Sequence, residues 1–296
     1  MGFSSADALY NAITIDGKIL AIPFSKTIQT GATSAASRWH ECFTAGGTGG
    51  VGVLTGTPGT GIIMDATKAG ALPIGPAVEA GMTKHLLAMS LTSPSATIAP
   101  AYVMLTDILH VYPSLVEVTT PSTLSNHPTW TGTGDTRMTN AKGVQLSMIQ
   151  TTASSVAGAL TPTYTDQDSN SQACARALQG AVAAHPVGAL WGDTGVNATV
   201  GGPCAALAVG DYGVRQVTSY AIGTGATGGA GAMILHRPIC TIPLAAVNTP
   251  TERDFSTGPI RLPRIYDNSC LALLVMVGGA LTTGQIIEGE LVLGWA

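Results

Sequence analysis

The chain has 296 residues, a net charge of −4, and only 10% charged side chains, against roughly 25% in ordinary soluble domains. That length holds one large domain or two modest ones with a real core. The 13 Lys and Arg are scattered, which argues against direct nucleic-acid binding, and no apolar run reaches the roughly 18 residues of a membrane-crossing helix.

In chain order, Ser4-Ser5-Ala6-Asp7 caps a short helix through Tyr10. The segment Lys18–Phe24 is extended, and Pro23 keeps it at an edge or strand end. Ala35–Phe43 suits a helix or a strand, with Trp39, Cys42 and Phe43 as core. The tract TAGGTGGVGVLTGTPGTG, Thr44 to Gly61, is a glycine-dense loop. A loop that long belongs in a compact domain only if it packs on something. Lys84–Leu91 is a short apolar run of either type.

From residue 99 the pattern is of strands. Ala101–Pro113 reads as one, ended by Pro113, with Val116–Thr120 as a second. Thr129–Asn140 is turn-rich. Gly143–Thr151 alternates, with Val144, Leu146 and Met148 on one face. Leu160–Thr165 leads into the Asp166–Asn170 turn, and Gln172–Ala184 holds a helical turn or a strand. Val214–Ile222 alternates weakly, and Ala232–Pro238 and Ile239–Leu244 read as two strands.

The last stretch organises the rest. Leu271–Val277 is apolar on both faces and bounded by turn residues, so it is a strand covered on both sides. Ile287, Leu291, Leu293 and Trp295 alternate with Glu288, Glu290 and Val292, a strand with one wet side. The two read as a terminal hairpin closing the fold. The expectation is mainly β: an antiparallel jelly-roll-like β-sandwich over 99–296, with a Gly-rich, loop-rich segment over 1–98 that reaches onto neighbours.

Motifs carry little chemistry. Gly47–Gly52 and Gly223–Gly228 match GxGxxG, but neither clearly opens a helix with the acidic residue that a dinucleotide needs. Asp193-Thr194-Gly195 echoes an aspartic-protease triplet without the required second copy and reads as a turn. Asp166-x-Asp168-x-Asn170 begins like a calcium loop. Ser171 and Ala177 stand where Gly and Glu are needed, so a polar hairpin turn is the reading, with a weak cation site at Asp166/Asp168 left open. The six histidines show no metal spacing. Glu288 and Glu290 read as a solubilising device on an edge strand rather than a glycosidase pair. The five cysteines show no CxxC pair and read as buried small hydrophobes in a reduced setting. The start, MGFSSADALY, lacks the pattern of a secretory leader. The expectation is no enzyme, no cofactor, no metal and no catalytic residue.

The succession Val103–Pro113, Gly143–Leu146, Ala208–Val217, Leu235–Pro238 and Pro263–Asn268 resembles a group of tailed-bacteriophage virion structural proteins. The resemblance covers about two thirds of the chain. It implies a particle component, most naturally a capsid cement or decoration protein, assembled in the host cytoplasm and kept in the virion. The implied partners are the major capsid protein and copies of the chain itself, as a dimer or trimer. A major capsid, tail or fibre role, or a carbohydrate-binding sandwich, are the alternatives.

Overall fold

A computed structural model describes the chain except for residues 1–4, 32–33, 35, 118–119, 121, 131–136, 155–157, 180–185, 194–201, 223–227, 257–261 and 283. One helix opens it, α1 (Ala6–Thr14), with the Ser5 hydroxyl accepting from the Ala8 N–H. Strands follow in order: β1 (Ile19–Thr27), β2 (Trp39–Glu41), β3 (Ile62–Ile63), β4 (Lys84–Thr92), β5 (Ala101–Val116) and β6 (Ser122–Thr123). Next come β7 (Gln145–Thr152), β8 (Ala159–Asp166), β9 (Ser171–Ala173), β10 (Leu178–Gln179), β11 (Gly192–Asp193) and β12 (Val214–Ile222). The last are β13 (Ala230–Leu244), β14 (Thr251–Asp254), β15 (Arg264–Ile265), β16 (Leu271–Val277) and β17 (Ile286–Trp295).

The strands form three antiparallel sheets. Sheet 1 runs β1-β17-β4-β14, with β15 also on β4. Sheet 2 runs β2-β16-β5-β13-β7, with β3 beside β5. Sheet 3 runs β11-β10-β8-β12-β6, with β9 beside β8. The antiparallel sandwich is therefore present, and it is double. The long strands β5 and β13 serve both halves. Val103 and Leu105 of β5 pack with Leu86, Leu291 and Leu293 of sheet 1. Leu109, Tyr112 and Leu115 of the same strand pack with Leu160, Val217 and Ile222 of sheet 3. Ile108 and Val111 join a third core with Phe43, Leu54, Met64 and Leu190. Sheet 2 is thus apolar on both faces, and each fully buried Leu contributes roughly 1.5–3 kcal/mol.

Residues 1–98 supply β1 to β4, and each of these strands pairs with one from 99–296. The glycine tract finds its packing on the outer face of sheet 2. There Gly49, at φ +83°, passes the Ala71 carbonyl too closely for any side chain. The first GxGxxG match is therefore a close-packed turn, whereas five of the six residues of the second lie outside the described residues.

Several readings of local structure change. Ala35–Phe43 yields strand β2, and Lys84–Leu91 is β4, a full member of sheet 1. Pro113 does not end β5. It sits where Tyr112 pairs with Met233 and Leu115 with Gly231, a bulge whose Ser114 has φ +52°, so no ladder hydrogen bond is needed from the proline. Two bulges in β12 shift its phase, turning Val214, Val217, Tyr220 and Ile222 inward and explaining the weak alternation. The runs on either side of Pro238 are one strand, β13. The expected terminal hairpin is absent: β16 lies in sheet 2 and β17 in sheet 1. Nor is β17 an edge strand, since β1 and β4 flank it. Its alternation stands, with Glu288 and Glu290 outward and Leu291 and Leu293 buried.

Candidate functional site

Some of the few charged side chains lie inside this fold. Asp107 falls between Leu105 of the first core and Leu109 of the second. Its carboxylate accepts from Arg137 Nη1 at 2.8 Å, the Ser269 hydroxyl at 2.8 Å, the Cys270 N–H at 2.8 Å and Arg237 Nη2 at 3.4 Å. Burial pushes this carboxyl up while the two guanidiniums pull it down. The fully buried Arg137 needs a counter-charge, so the ionised form is the one we assign. Arg137 also donates to the carbonyls of Met64 (2.6 Å) and Asn268 (3.1 Å). It fills the gap along β5 where β16 has ended and β3 has not begun.

A second buried group centres on His236. Nδ1 lies 2.7 Å from the Thr106 hydroxyl and Nε2 2.9 Å from the Ser147 hydroxyl, with Cys204 Sγ 3.8 Å from Nε2. Ser147 also faces the Pro203 carbonyl, and Thr106 the Arg237 carbonyl. Burial depresses this imidazole to about 3, so it is neutral. One chain of donors runs from Thr106 through the ring to Ser147 and Pro203; the reverse runs from Ser147 through the ring to Thr106 and Arg237. Burial pushes the Cys204 thiol up to about 11, away from the thiolate that nucleophilic chemistry uses.

A cleft of about 260 Å³ opens on the outer side of sheet 2. Gln29, Glu41, Thr44, Val53, Ile149 and Gln150 are among its lining residues, and among the described residues Glu41 is the one titratable group there. Burial pushes its carboxyl up, against the opposing pull of the Thr44 hydroxyl and N–H. The buried Lys26 amine donates to the Ala45 and Gly50 carbonyls, tying the glycine tract to β1. The cleft can accept hydrogen bonds from a small group against an apolar wall. Among the described residues it has no second acid or base beside Glu41 for a paired proton transfer.

Asp166 closes the β8–β9 hairpin. Its Oδ1 accepts from the Asp168 and Asn170 N–H groups, each at 2.8 Å, and its Oδ2 from Asn170 Nδ2 at 3.0 Å. Although burial opposes it, these donors hold the carboxyl below its usual range. The geometry is the polar hairpin turn, and among the described residues no cluster of three or more His, Cys, Asp or Glu could hold a metal. Of the Asp193-Thr194-Gly195 triplet, only the backbone of Asp193 in β11 is described. Cys42, Cys174, Cys240 and Cys270 are buried as expected, while Cys204 is partly exposed.

The buried network was missed in the sequence, although it leaves a trace there: Asp107 and the pair His236-Arg237 each interrupt an otherwise apolar strand. No family model matches the chain, and neither a curated protein nor a solved structure is similar to it.

Proposed function

We propose that the chain is a non-enzymatic structural component of a tailed-bacteriophage particle, a cement or decoration protein on the shell. Its partners are then the major capsid protein and copies of itself, and its place is the virion. The observation that carries this reading is where the charges lie. Of 13 basic and 17 acidic residues, Lys26, Lys84, Arg137, Glu41, Asp107 and Asp166 are buried. A few of these scarce charges are thus withdrawn from the surface, on which Ile15, Val51, Val53 and Val209 stand exposed. A free monomer is kept soluble by surface charge; a subunit covered by neighbours needs less of it. The resemblance of the strand succession to virion proteins points the same way. Mass spectrometry of purified particles tests the reading. The chain is expected at a copy number set by shell symmetry, and its absence from particles overturns the reading; the copy number also separates shell, decoration and tail roles.

A further inference from the structure

We propose that the cleft on sheet 2 is a binding site for a primary alkylammonium ion, with the charged head on Glu41 and the carbon chain along Val53, Ile149 and Val187. The site goes beyond the particle reading above and does not rest on it. The cleft lies on a seam, where residues 188–190 tie the two end strands of sheet 2 together. The Glu41 N–H donates to the Gly188 carbonyl at 2.9 Å, and the Gly188 N–H donates to the Gln150 carbonyl at 2.8 Å. Leu190 repeats the link, bridged to Ile149 and donating to the Trp39 carbonyl. Glu41 of β2 and Gln150 of β7 are thereby held on either side of Gly188. Residues 52–55 of the glycine tract complete the walls.

Glu41 lines the cleft while only 1% exposed, so it stands at the inner end. Its Oε2 accepts from the Thr44 N–H at 2.8 Å and its Oε1 from the Thr44 hydroxyl. A carboxyl that accepts on both oxygens is read as ionised, and each oxygen has room for a further donor. Among the described residues no cation is ion-paired to it. The nearby Lys26 amine is turned to the carbonyls of Ala45 and Gly50. Behind Gln150, Glu117 accepts from its Nε2 at 3.2 Å and adds a second negative charge on that side. An ammonium seated on Glu41 supplies the donor and the counter-charge that burial withholds from water. A primary ammonium is compact enough to reach an inner carboxylate and carries three donors. Val53 is 63% exposed, an apolar contact left open for a carbon chain, and the Gln29 amide adds a polar contact in the same wall. The 260 Å³ is the room of roughly nine waters, which suits a chain of about five carbons.

The Trp191 indole N–H donates to Gln150 Oε1 at 2.6 Å, which makes its resonance a reporter of the cleft. Titration of the full chain with pentylamine at neutral pH, followed in proton–nitrogen spectra, tests the site. The Trp191 signal is expected to shift with a dissociation constant of about 1 mM, while Trp130, inside the second core, stays unmoved. Pentanol is expected to bind about tenfold more weakly or worse, and pentanoate not to bind, since its charge repels Glu41. Glu41→Gln keeps an acceptor for the Thr44 hydroxyl and removes the charge, so the preference for amine over alcohol is expected to vanish. Val53→Lys changes an exposed position, so folding is spared while a cation is set in the cleft. It is expected to weaken the amine about tenfold with an unchanged thermal melt. A Trp191 signal unmoved up to about 50 mM amine, equal responses to amine and alcohol, or a titration of Val53→Lys like that of the natural chain overturns the proposal. Particle composition is measured separately, so either reading can fail while the other stands.

Discussion

Arg137 does the hydrogen bonding that a missing length of strand would otherwise do, and it does so with no exposure to solvent. Replacing it with Met leaves the buried Asp107 charge with only the longer Arg237 contact as counter-charge, beside unsatisfied carbonyls. Breaking such a pair costs roughly 3–5 kcal/mol, so urea unfolding of Arg137→Met is expected to show a loss of that size. Acid sensitivity follows from two other buried side chains. Burial depresses His236 to about 3; it also depresses His40 to about 4, with Arg38 adding and the Gln29 carbonyl opposing. The unfolded imidazoles take up protons below about pH 6.5 while the folded ones do not. Their stabilisation is complete above that pH and is lost as the pH falls, at about 1.4 kcal/mol per unit for each ring. Glu41 has the opposite sign: its raised folded carboxyl binds a proton before the unfolded one does and recovers part of the loss. Urea titrations at pH 7 and pH 5 are expected to differ by about 2–4 kcal/mol; a flat profile would contradict the buried neutral histidines.

At the scale of elements, the glycine tract behaves as a packed layer. Gly49 has a left-handed φ and meets the Ala71 carbonyl, whereas Gly46 has open space around its Cα and no such φ. Gly49→Ala is expected to lower stability by about 2 kcal/mol or more, and Gly46→Ala to stay within about 0.5 kcal/mol. Equal effects in a denaturant series would show that the tract is not held where the packing places it. The strands carry a related lesson. The Leu271–Val277 run was legible as doubly covered because no position in it is polar. In β12 the bulges rephase the apolar residues, and a strict two-residue reading assigns the wrong faces.

For the whole molecule, β5 and β13 make the two sandwiches one mechanical unit. Leu273 in β16 lies in the first core, while Trp130 and Trp191 report on the second. Leu273→Ala is expected to cost about 2–5 kcal/mol. It should shift tryptophan fluorescence and far-UV circular dichroism transitions together, since a shared sheet cannot lose one face alone. Two separated transitions would mean that the halves unfold independently.

The sequence by itself determined the class of the fold. Apolar alternation and turn residues mark most strands locally, and a pattern of period two needs no partner to be read. It also determined that charge is scarce. Only the tertiary structure decided which sheet each strand joins, because antiparallel pairing between Ile19 and Gly294 depends on contacts far apart in the chain. It likewise decided that Asp107, Arg137, Glu41 and His236 are interior groups, since burial is a property of what surrounds a side chain. The C-terminal pair of strands shows both sides of this. Each strand was legible alone, and their assignment to different sheets came from packing across the core between them.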